Sequence, residues 1–195
     1  SDCFMSLNKR IEVEPSRFLR HMAGCVKSAI RKGKGSVCPD YSGAWKEVRE
    51  RAMEVKGKFV AEAPWSELRA FCVILRAIPQ SANLFLSNGT AVRYAQILDY
   101  VLPHGSYCNR GVSGIDGSCS TAIGGAVAYK GTTVLVTGDL SMAYDLGSLA
   151  LPEVPSGMKV IVIDNSGGGI FRFIPTTSAL EEREDYFCVP PVLPL

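Results

Sequence analysis

The sequence lacks the features that mark several classes of protein. Its longest apolar runs, such as 132–137 and 160–163, fall far short of the roughly 20 residues that a membrane helix needs. No two of its seven cysteines form a C-x-x-C pair, and their odd number disfavours a complete disulfide framework. With 21 Lys and Arg against 19 Asp and Glu, the net charge of +2 gives no general reason to bind nucleic acid or a membrane surface. These absences favour a globular protein of the reducing cytoplasm.

Several familiar catalytic and phosphate-binding motifs are missing as well. The sequence has no Walker A motif and no G-x-S-x-G elbow. Gly167-x-Gly169 is followed by Arg172, where the dinucleotide fingerprint requires Gly or Ala. The sequence implies no acidic partner for either histidine, His21 or His104, so both are interpreted as surface or loop residues.

Charge is distributed unevenly along the chain. Residues 1–58 carry 13 Lys and Arg against 7 Asp and Glu, whereas residues 59–195 carry 8 against 12. The basic part could bind an anionic ligand, but its charges alternate with apolar residues at helical spacing, which favours a solvated helix face. The residue pattern changes at the same place. We therefore predict a boundary near residue 58, between a helical remnant of one domain (1–58) and a second domain (59–195).

Two helices are predicted before this boundary. Pro15 stands at a natural helix start, and apolar residues recur on one face up to a Lys-Gly break at 32–35. A second helix is predicted from Ser42 onward. Two such helices bury little by themselves, so they need a further surface to pack against. The predicted inward face of the second helix consists of Trp45, Val48, Ala52 and Val55.

Helices alternate with short apolar strands in the second part of the chain. Helical patterns cover 68–78 and the small-residue stretch 117–130, and Thr90 is predicted to cap another helix. Continuous apolar strands between helices indicate a parallel sheet covered on both faces. The sequence therefore predicts an α/β fold with a doubly wound parallel sheet and helices on both faces. Its strands are predicted at 84–86, 132–137 and 160–163.

Polar and glycine-rich segments follow these strands. In an open parallel sheet, ligands bind at the carboxyl ends of the strands, beside a topological switch point. The segments 88–90, 138–141 and 164–171 all fall at such ends. One carboxylate, one amide and several glycines are thus predicted to converge at one edge of the sheet.

A divalent cation that holds a diphosphate fits this set of groups. Mg²⁺ takes oxygen ligands, usually a carboxylate or two together with phosphates and water. Asp139, the Asn165 amide and the Gly167 carbonyl supply such oxygens, and glycines let the backbone approach phosphates. Asp139 could instead cap the next helix, and 165–169 could be only a turn. The occurrence of both motifs at adjacent strand ends favours the metal site.

The same segments resemble a known family. Gly-Asp-Leu at 138–140, followed after 23 residues by Asp-Asn, is similar to the Gly-Asp-Gly…Asn-Asn signature of thiamine-diphosphate enzymes. Together with NRGVSGIDG at 109–117 and GGGIF at 167–171, it closely resembles the MenD family. The resemblance runs from about residue 64 to 190. Residues 1–63 resemble the end of the family's middle domain and the connecting helix much less closely.

The resemblance implies thiamine diphosphate as cofactor, held through Mg²⁺ or Mn²⁺. Asp139, Asn165 and the Gly167 carbonyl match the family's metal ligands. Ile115 matches the apolar residue that lies under the thiazolium and bends the cofactor. Leu140 replaces the second glycine of the wider signature, but the MenD family is similar to this sequence there. The positions implied to contact the cofactor are Ile115, Gly138, Leu140, Ser141, Asn165 and Gly168.

Substrate contacts are implied in the same way. Arg93 and Arg110 match arginines that bind substrate carboxylates, and a bidentate guanidinium suits a dicarboxylate. Ile170 and Phe171 match apolar residues that line the active site. Asp164 stands where many relatives have Asn, and whether it ligates the metal is left open.

The implied reaction is decarboxylation of 2-oxoglutarate and transfer of the succinyl-semialdehyde unit to isochorismate, in menaquinone biosynthesis. The family's enzymes are cytoplasmic homo-oligomers, dimers or tetramers, and a partner subunit's N-terminal domain supplies the carboxylate that activates the cofactor. We therefore expect this chain to be a C-terminal fragment, itself truncated at its C-terminus, that is inactive alone. Two alternatives stay open: another thiamine-diphosphate enzyme, such as an acetolactate-synthase-like ligase or a 2-oxoacid decarboxylase, or a non-catalytic domain that keeps the fold.

Overall fold

Two units make up the chain, Ser1–Glu54 and Val55–Leu195. The boundary predicted near residue 58, and the assignment of the first part to a middle domain, stay predictions. His104 and the end of the Lys-Gly break predicted at 32–35 lie outside the described residues. The computed structural model describes residues 5, 6, 8–34, 41–103 and 105–191.

The first unit contains helix α1 (Pro15–Arg31) and the start of helix α2 (Tyr41–Glu62). The Glu14 carboxylate caps α1 by accepting a hydrogen bond from the Arg17 N–H at 3.0 Å. The inward face predicted for α2 is wrong. Apolar spacing identifies a face, but burial also requires a surface that covers it. The residues of that face, Trp45, Val48, Ala52 and Val55, are all exposed.

The second unit is built on a four-stranded, all-parallel sheet with the strand order β2-β1-β3-β4. The predicted α/β fold is thereby confirmed. Three strands lie where apolar runs predicted them, whereas β2 was missed because Gly-Ser-Tyr carries no such pattern. The strands are β1 (Asn83–Leu86), β2 (Gly105–Tyr107), β3 (Thr133–Gly138) and β4 (Met158–Ile163).

Helices connect these strands and cover the sheet. The prediction that Thr90 caps a helix is wrong, because Thr90 is the first helical residue and Gly89 occupies the N-cap position. The backbone at the N-cap position has a φ of +94°, a conformation that favours glycine over threonine. No helix in the described ranges combines the length and apolarity needed to cross a bilayer. The helices of this unit are α3 (Glu67–Ala77), α4 (Thr90–Leu98), α5 (Ser118–Ala128), α6 (Asp139–Tyr144), α7 (Pro175–Ser178) and α8 (Arg183–Tyr186).

Apolar layers lie on both faces of the sheet, as predicted. Phe71 and Leu75 of α3 belong to the layer that contains Leu84, whereas Phe85 belongs to the opposite layer with α5. The small residues of α5 allow close packing, because a Cβ at Gly125 would lie 2.3 Å from the Phe85 ring. The two layers fix the strands, and with them the turns that leave their carboxyl ends.

Candidate functional site

The turns after β1, β3 and β4 meet in one cavity beside the topological switch point between β1 and β3. Asn88, Gly89 and Thr90 line it from the β1 turn. Of the site residues expected from the sequence, only Arg93 and Arg110 lie outside the lining. Those that line the cavity are Ile115, Gly138, Asp139, Leu140, Ser141, Asn165, Gly167, Gly168, Ile170 and Phe171.

Asp139 is a buried carboxylate that links the end of β3 to the turn after β4 through hydrogen bonds. It is only 2% exposed, and its oxygens accept hydrogen bonds from the N–H groups of Leu140 at 2.8 Å and Gly167 at 2.6 Å. Burial raises the pKa of Asp139, the two N–H groups oppose that shift, and nearby Asp164 adds to it. The contact with Gly167 gives Asp139 more than a helix-capping role. A desolvated carboxylate of this kind is stabilised by a bound cation.

Asn165 lines the same cavity and has a buried side-chain oxygen. Its Nδ2 donates a hydrogen bond to the Glu67 carboxylate at the start of α3. Its Oδ1 is buried and has no hydrogen-bond partner within the described part of the chain. Buried polar atoms are nearly always paired, so this oxygen requires an explanation. Coordination of a hard cation is one, since amide oxygens are suitable ligands.

The turn after β4 can be built only with glycine. Gly167 has a φ of +109°, and a Cβ there would lie 2.5 Å from the Cys188 carbonyl oxygen and 2.6 Å from that of Val189. The Gly167 carbonyl accepts the Gly169 N–H at 2.9 Å, and its second lone pair is available for a cation. Among the described residues, no group of three His, Cys, Asp or Glu side chains could hold a metal. A cation here would therefore use the mixed carboxylate, amide and carbonyl set.

Asn88 organises the opposite wall. It is 5% exposed, and its Nδ2 donates to the carbonyl oxygens of Asn109 at 2.7 Å and Gly114 at 2.6 Å. The carbonyl of Ile115, which lines the cavity, accepts a hydrogen bond from the buried Ser141 hydroxyl at 2.5 Å. These contacts fix the loop that carries Ile115. Sequence reasoning noted Asn88 as a strand-end residue but gave it no role.

Arg93 and Arg110 border this wall without lining the cavity. Arg93 Nη1 donates to the Gly89 carbonyl at 2.6 Å, and Arg110 Nη1 donates to Asn88 Oδ1 at 2.8 Å. Since Asn88 and Gly89 are neighbours in the lining, both guanidinium groups lie on the same side of the site. No carboxylate forms an ion pair with either arginine within the described ranges. The result is a local positive charge beside the cavity.

The wall that carries Ile170 and Phe171 is held by the segment that follows it. Thr177 donates its hydroxyl hydrogen to the Phe171 carbonyl at 2.8 Å. Arg172 forms an exposed ion pair with Glu184 at 2.9 Å. Hydrogen bonds from Arg172 and Arg183 lower the pKa of Glu184 to about 2. This wall is thus fixed by contacts that form within residues 171–184.

Replacing Asn88 with alanine is expected to lower the free energy of unfolding by about 2–3 kcal/mol, because the carbonyls of Asn109 and Gly114 lose their donor. Urea unfolding followed by circular dichroism measures the change. Gln96→Ala, on the exposed side of α4, is the matched control and should stay within about 0.5 kcal/mol of wild type. Equal unfolding midpoints for the two variants would show that Asn88 does not organise the wall.

Comparison with known proteins finds relatives that share one name. It is 42% identical to the 2-succinyl-5-enolpyruvyl-6-hydroxy-3-cyclohexene-1-carboxylate synthase of Porphyromonas gingivalis, over 100% of the chain and 34% of that protein. It is 39% identical to the enzyme of the same name from Flavobacterium psychrophilum, over 95% of the chain and 32% of the relative. For Chlorobium chlorochromatii the identity is 37%, over 72% of the chain and 25% of the relative.

The first two matches cover almost the whole chain but only part of each relative. The chain spans about a third of the length of these two relatives. No family model matches the chain. The Porphyromonas match covers both the helical first part and the sheet, since it includes the whole chain. The chain is therefore similar, over about a third of their length, to the 2-succinyl-5-enolpyruvyl-6-hydroxy-3-cyclohexene-1-carboxylate synthases.

Proposed function

We propose that the chain forms the diphosphate- and metal-binding part of a thiamine-diphosphate-dependent transferase. The reaction is the decarboxylation of 2-oxoglutarate and transfer of the resulting succinyl-semialdehyde unit to isochorismate, in menaquinone biosynthesis. One observation carries the proposal: Asp139, a buried carboxylate, and Asn165, whose buried Oδ1 has no partner among the described residues, line the same cavity at adjacent strand ends. The names of the relatives support the choice of reaction.

The oxygens of this cavity fit Mg²⁺ or Mn²⁺. Asp139, Asn165 Oδ1 and the Gly167 carbonyl would ligate the cation, which offsets the cost of burying the Asp139 charge. The backbone of Gly138 leaves room for a diphosphate, because nothing lies within 4 Å of the place a Cβ would take. At Gly168 the missing side chain instead makes room for the Phe187 carbonyl and the Phe171 ring, and the backbone of Gly168 still lines the cavity. When bound, thiamine diphosphate supplies the electron sink that decarboxylation of a 2-oxo acid requires. Ile115 would give the cofactor an apolar support, with Leu140 and Ser141 beside it.

Arg93 and Arg110 fit the substrates of the proposed reaction. 2-Oxoglutarate and isochorismate each carry two carboxylates, and a guanidinium can bind a carboxylate through two parallel hydrogen bonds. Ile170 and Phe171 would exclude water on the opposite side. Acetolactate-synthase-like enzymes and simple 2-oxoacid decarboxylases act on monocarboxylates such as pyruvate, so two arginines without acidic partners in the described ranges favour the first reaction.

The proposal also covers the location, the oligomeric state and the domain organisation of the complete protein. We place the complete protein in the cytoplasm as a homo-oligomer, in keeping with the family resemblance. Residues 1–58 are proposed to belong to a separate domain, which is supported by the change in charge balance at residue 58. The division of the chain after Glu54 also supports it.

The test is a calorimetric titration of the 195-residue chain with thiamine diphosphate, with and without Mg²⁺. We expect binding that requires the metal, because the diphosphate reaches the protein through the cation as well as through the backbone. Mg²⁺ alone and thiamine diphosphate alone are the two reference titrations. Binding of equal strength with and without Mg²⁺, or no binding under either condition, would contradict the proposed site.

Removing either substrate arginine is expected to weaken binding of 2-oxoglutarate roughly 10–100-fold, since hydrogen bonds to a charged group contribute about 1.5–3 kcal/mol. Arg93→Ala and Arg110→Ala are compared by calorimetry on the chain loaded with Mg²⁺ and thiamine diphosphate. The lysine variants should show smaller losses, because lysine keeps the charge but not the bidentate geometry.

Arg49→Ala, an exposed arginine of α2, is the control and should bind 2-oxoglutarate like wild type. Pyruvate is titrated in parallel with each protein. Tighter binding of pyruvate than of 2-oxoglutarate, with no effect of either arginine, would favour the alternative thiamine-diphosphate enzymes.

A further inference from the structure

We propose that Glu67 is a positioning residue that orients the Asn165 amide so that Oδ1, and not Nδ2, faces the cation. The inference rests on the proposed metal site. Glu67 lies 98 positions before Asn165 in the sequence, and their side chains meet through a hydrogen bond from Asn165 Nδ2 to Glu67 Oε1. The pair joins the start of α3 to the turn after β4.

An asparagine at a metal site has two orientations that differ by a half-turn of the amide. One presents an oxygen that can ligate a cation, and the other presents an NH₂ group that a cation repels. An ionised carboxylate accepts hydrogen bonds but cannot donate them, so Glu67 can bind only the NH₂ side. The contact therefore selects the orientation in which Oδ1 is left for the cavity. That oxygen is buried and unpaired among the described residues, as this selection requires.

The Glu67 carboxylate lies close to Tyr94 of α4. Burial and the nearby Glu67 charge raise the pKa of Tyr94. The Tyr94 ring packs against Phe71 at a centroid distance of 5.2 Å. A carboxylate that lies against packed neighbours suits a positioning role, because a mobile one would let the amide turn. Glu67 thus lies close to Tyr94 and accepts a hydrogen bond from Asn165, the proposed metal ligand.

Glu67 also occupies the first turn of α3, where an acidic side chain stabilises the helix through the macrodipole. This structural role makes a different prediction. It depends on charge, so Gln and Ala at position 67 should be equally harmful to stability and neutral toward the metal. The positioning role depends on an acceptor, so Gln, which keeps an oxygen, should preserve more of the metal affinity than Ala.

The experiment measures Mn²⁺ binding to the 195-residue chain by electron paramagnetic resonance, in the presence of thiamine diphosphate. We expect Glu67→Ala to weaken Mn²⁺ binding roughly 10–100-fold, the usual effect of losing a group that orients a ligand. Glu67→Gln should show a smaller loss. Glu153→Gln, an exposed glutamate, is the control and should bind Mn²⁺ like wild type. Urea unfolding of each variant separates affinity from stability.

A second readout needs no metal. The side-chain NH₂ resonances of Asn165, assigned by their loss in Asn165→Asp, should shift in Glu67→Ala and less in Tyr94→Phe. If wild type binds Mn²⁺ and Glu67→Ala binds it equally well, the positioning role is wrong and the metal site stands. If wild type binds no Mn²⁺, the proposed function is wrong, and the positioning role, which depends on it, is wrong as well. Equal losses for Glu67→Gln and Glu67→Ala would also overturn the positioning role.

Discussion

Replacing Asp139 with alanine should weaken Mg²⁺-dependent binding of thiamine diphosphate at least about 100-fold, beyond what is usual for a group that only orients a ligand. The reason is that Asp139 is the one carboxylate among the described residues that line the cavity, and the other proposed ligands are neutral oxygens. Without its charge the cation loses its strongest attraction. Calorimetry with Mg²⁺ and thiamine diphosphate measures the change.

Two further variants distinguish loss of the metal from loss of the fold. Asp139→Asn keeps the size of the side chain and an acceptor oxygen for one of the two N–H groups, that of Leu140 or that of Gly167. It should therefore stay folded while it loses metal affinity. Asp185→Asn removes an exposed carboxylate outside the cavity and should bind like wild type. Metal-dependent binding of wild-type strength by a folded Asp139→Ala or Asp139→Asn protein would remove the basis of the proposed site.

The fold could be predicted where its determinants are local in the sequence. The apolar runs of β1, β3 and β4 are long enough to be recognised, and their continuity indicates burial on both faces. β2 has no such run, and it becomes a strand through pairing with β1, in which Gly105 lies opposite Asn83. Pairing of this kind joins distant segments and leaves no periodic signal. The exposed face of α2 shows the converse, since its apolar spacing is clear but no described surface covers it.

The site could be predicted in part for the same reason. The rule that ligands bind at strand ends points to 138–141 and 164–171, and the structure brings both segments to one cavity. Glu67 could not be found in this way, because its contact with Asn165 crosses 98 positions and depends on how α3 packs. Asn88 follows a strand, but its role depends on the carbonyls of a loop about 20 positions further on. Residues that position others are therefore the ones that the sequence leaves unassigned.

Gly167→Ala is expected to lower the melting temperature by roughly 5–20 °C, which corresponds to a loss of about 2–6 kcal/mol in the free energy of unfolding. A side chain at a φ of +109° is strained by about 1–3 kcal/mol. Its Cβ would also lie within 2.6 Å of the backbone carbonyl oxygens of Cys188 and Val189, and such overpacking costs about 1–3 kcal/mol more. Backbone cannot move aside as a flexible side chain can, so the turn itself must shift. Differential scanning calorimetry of the metal-free chain measures the effect.

Alanine substitutions at two other glycines distinguish strain at position 167 from a general effect of replacing glycine by alanine. Gly157→Ala places its Cβ where nothing lies within 4 Å, at a φ outside the left-handed region, and should melt close to wild type. Gly138→Ala is equally open, at a φ of −86°, yet it lies in the cavity beside Asp139. It should keep the melting temperature while weakening binding of thiamine diphosphate, because its Cβ occupies space proposed for the diphosphate. If Gly167→Ala melts at the same temperature as Gly157→Ala, the turn after β4 tolerates a side chain. The close approach of Cys188 and Val189 would then have no part in shaping the site.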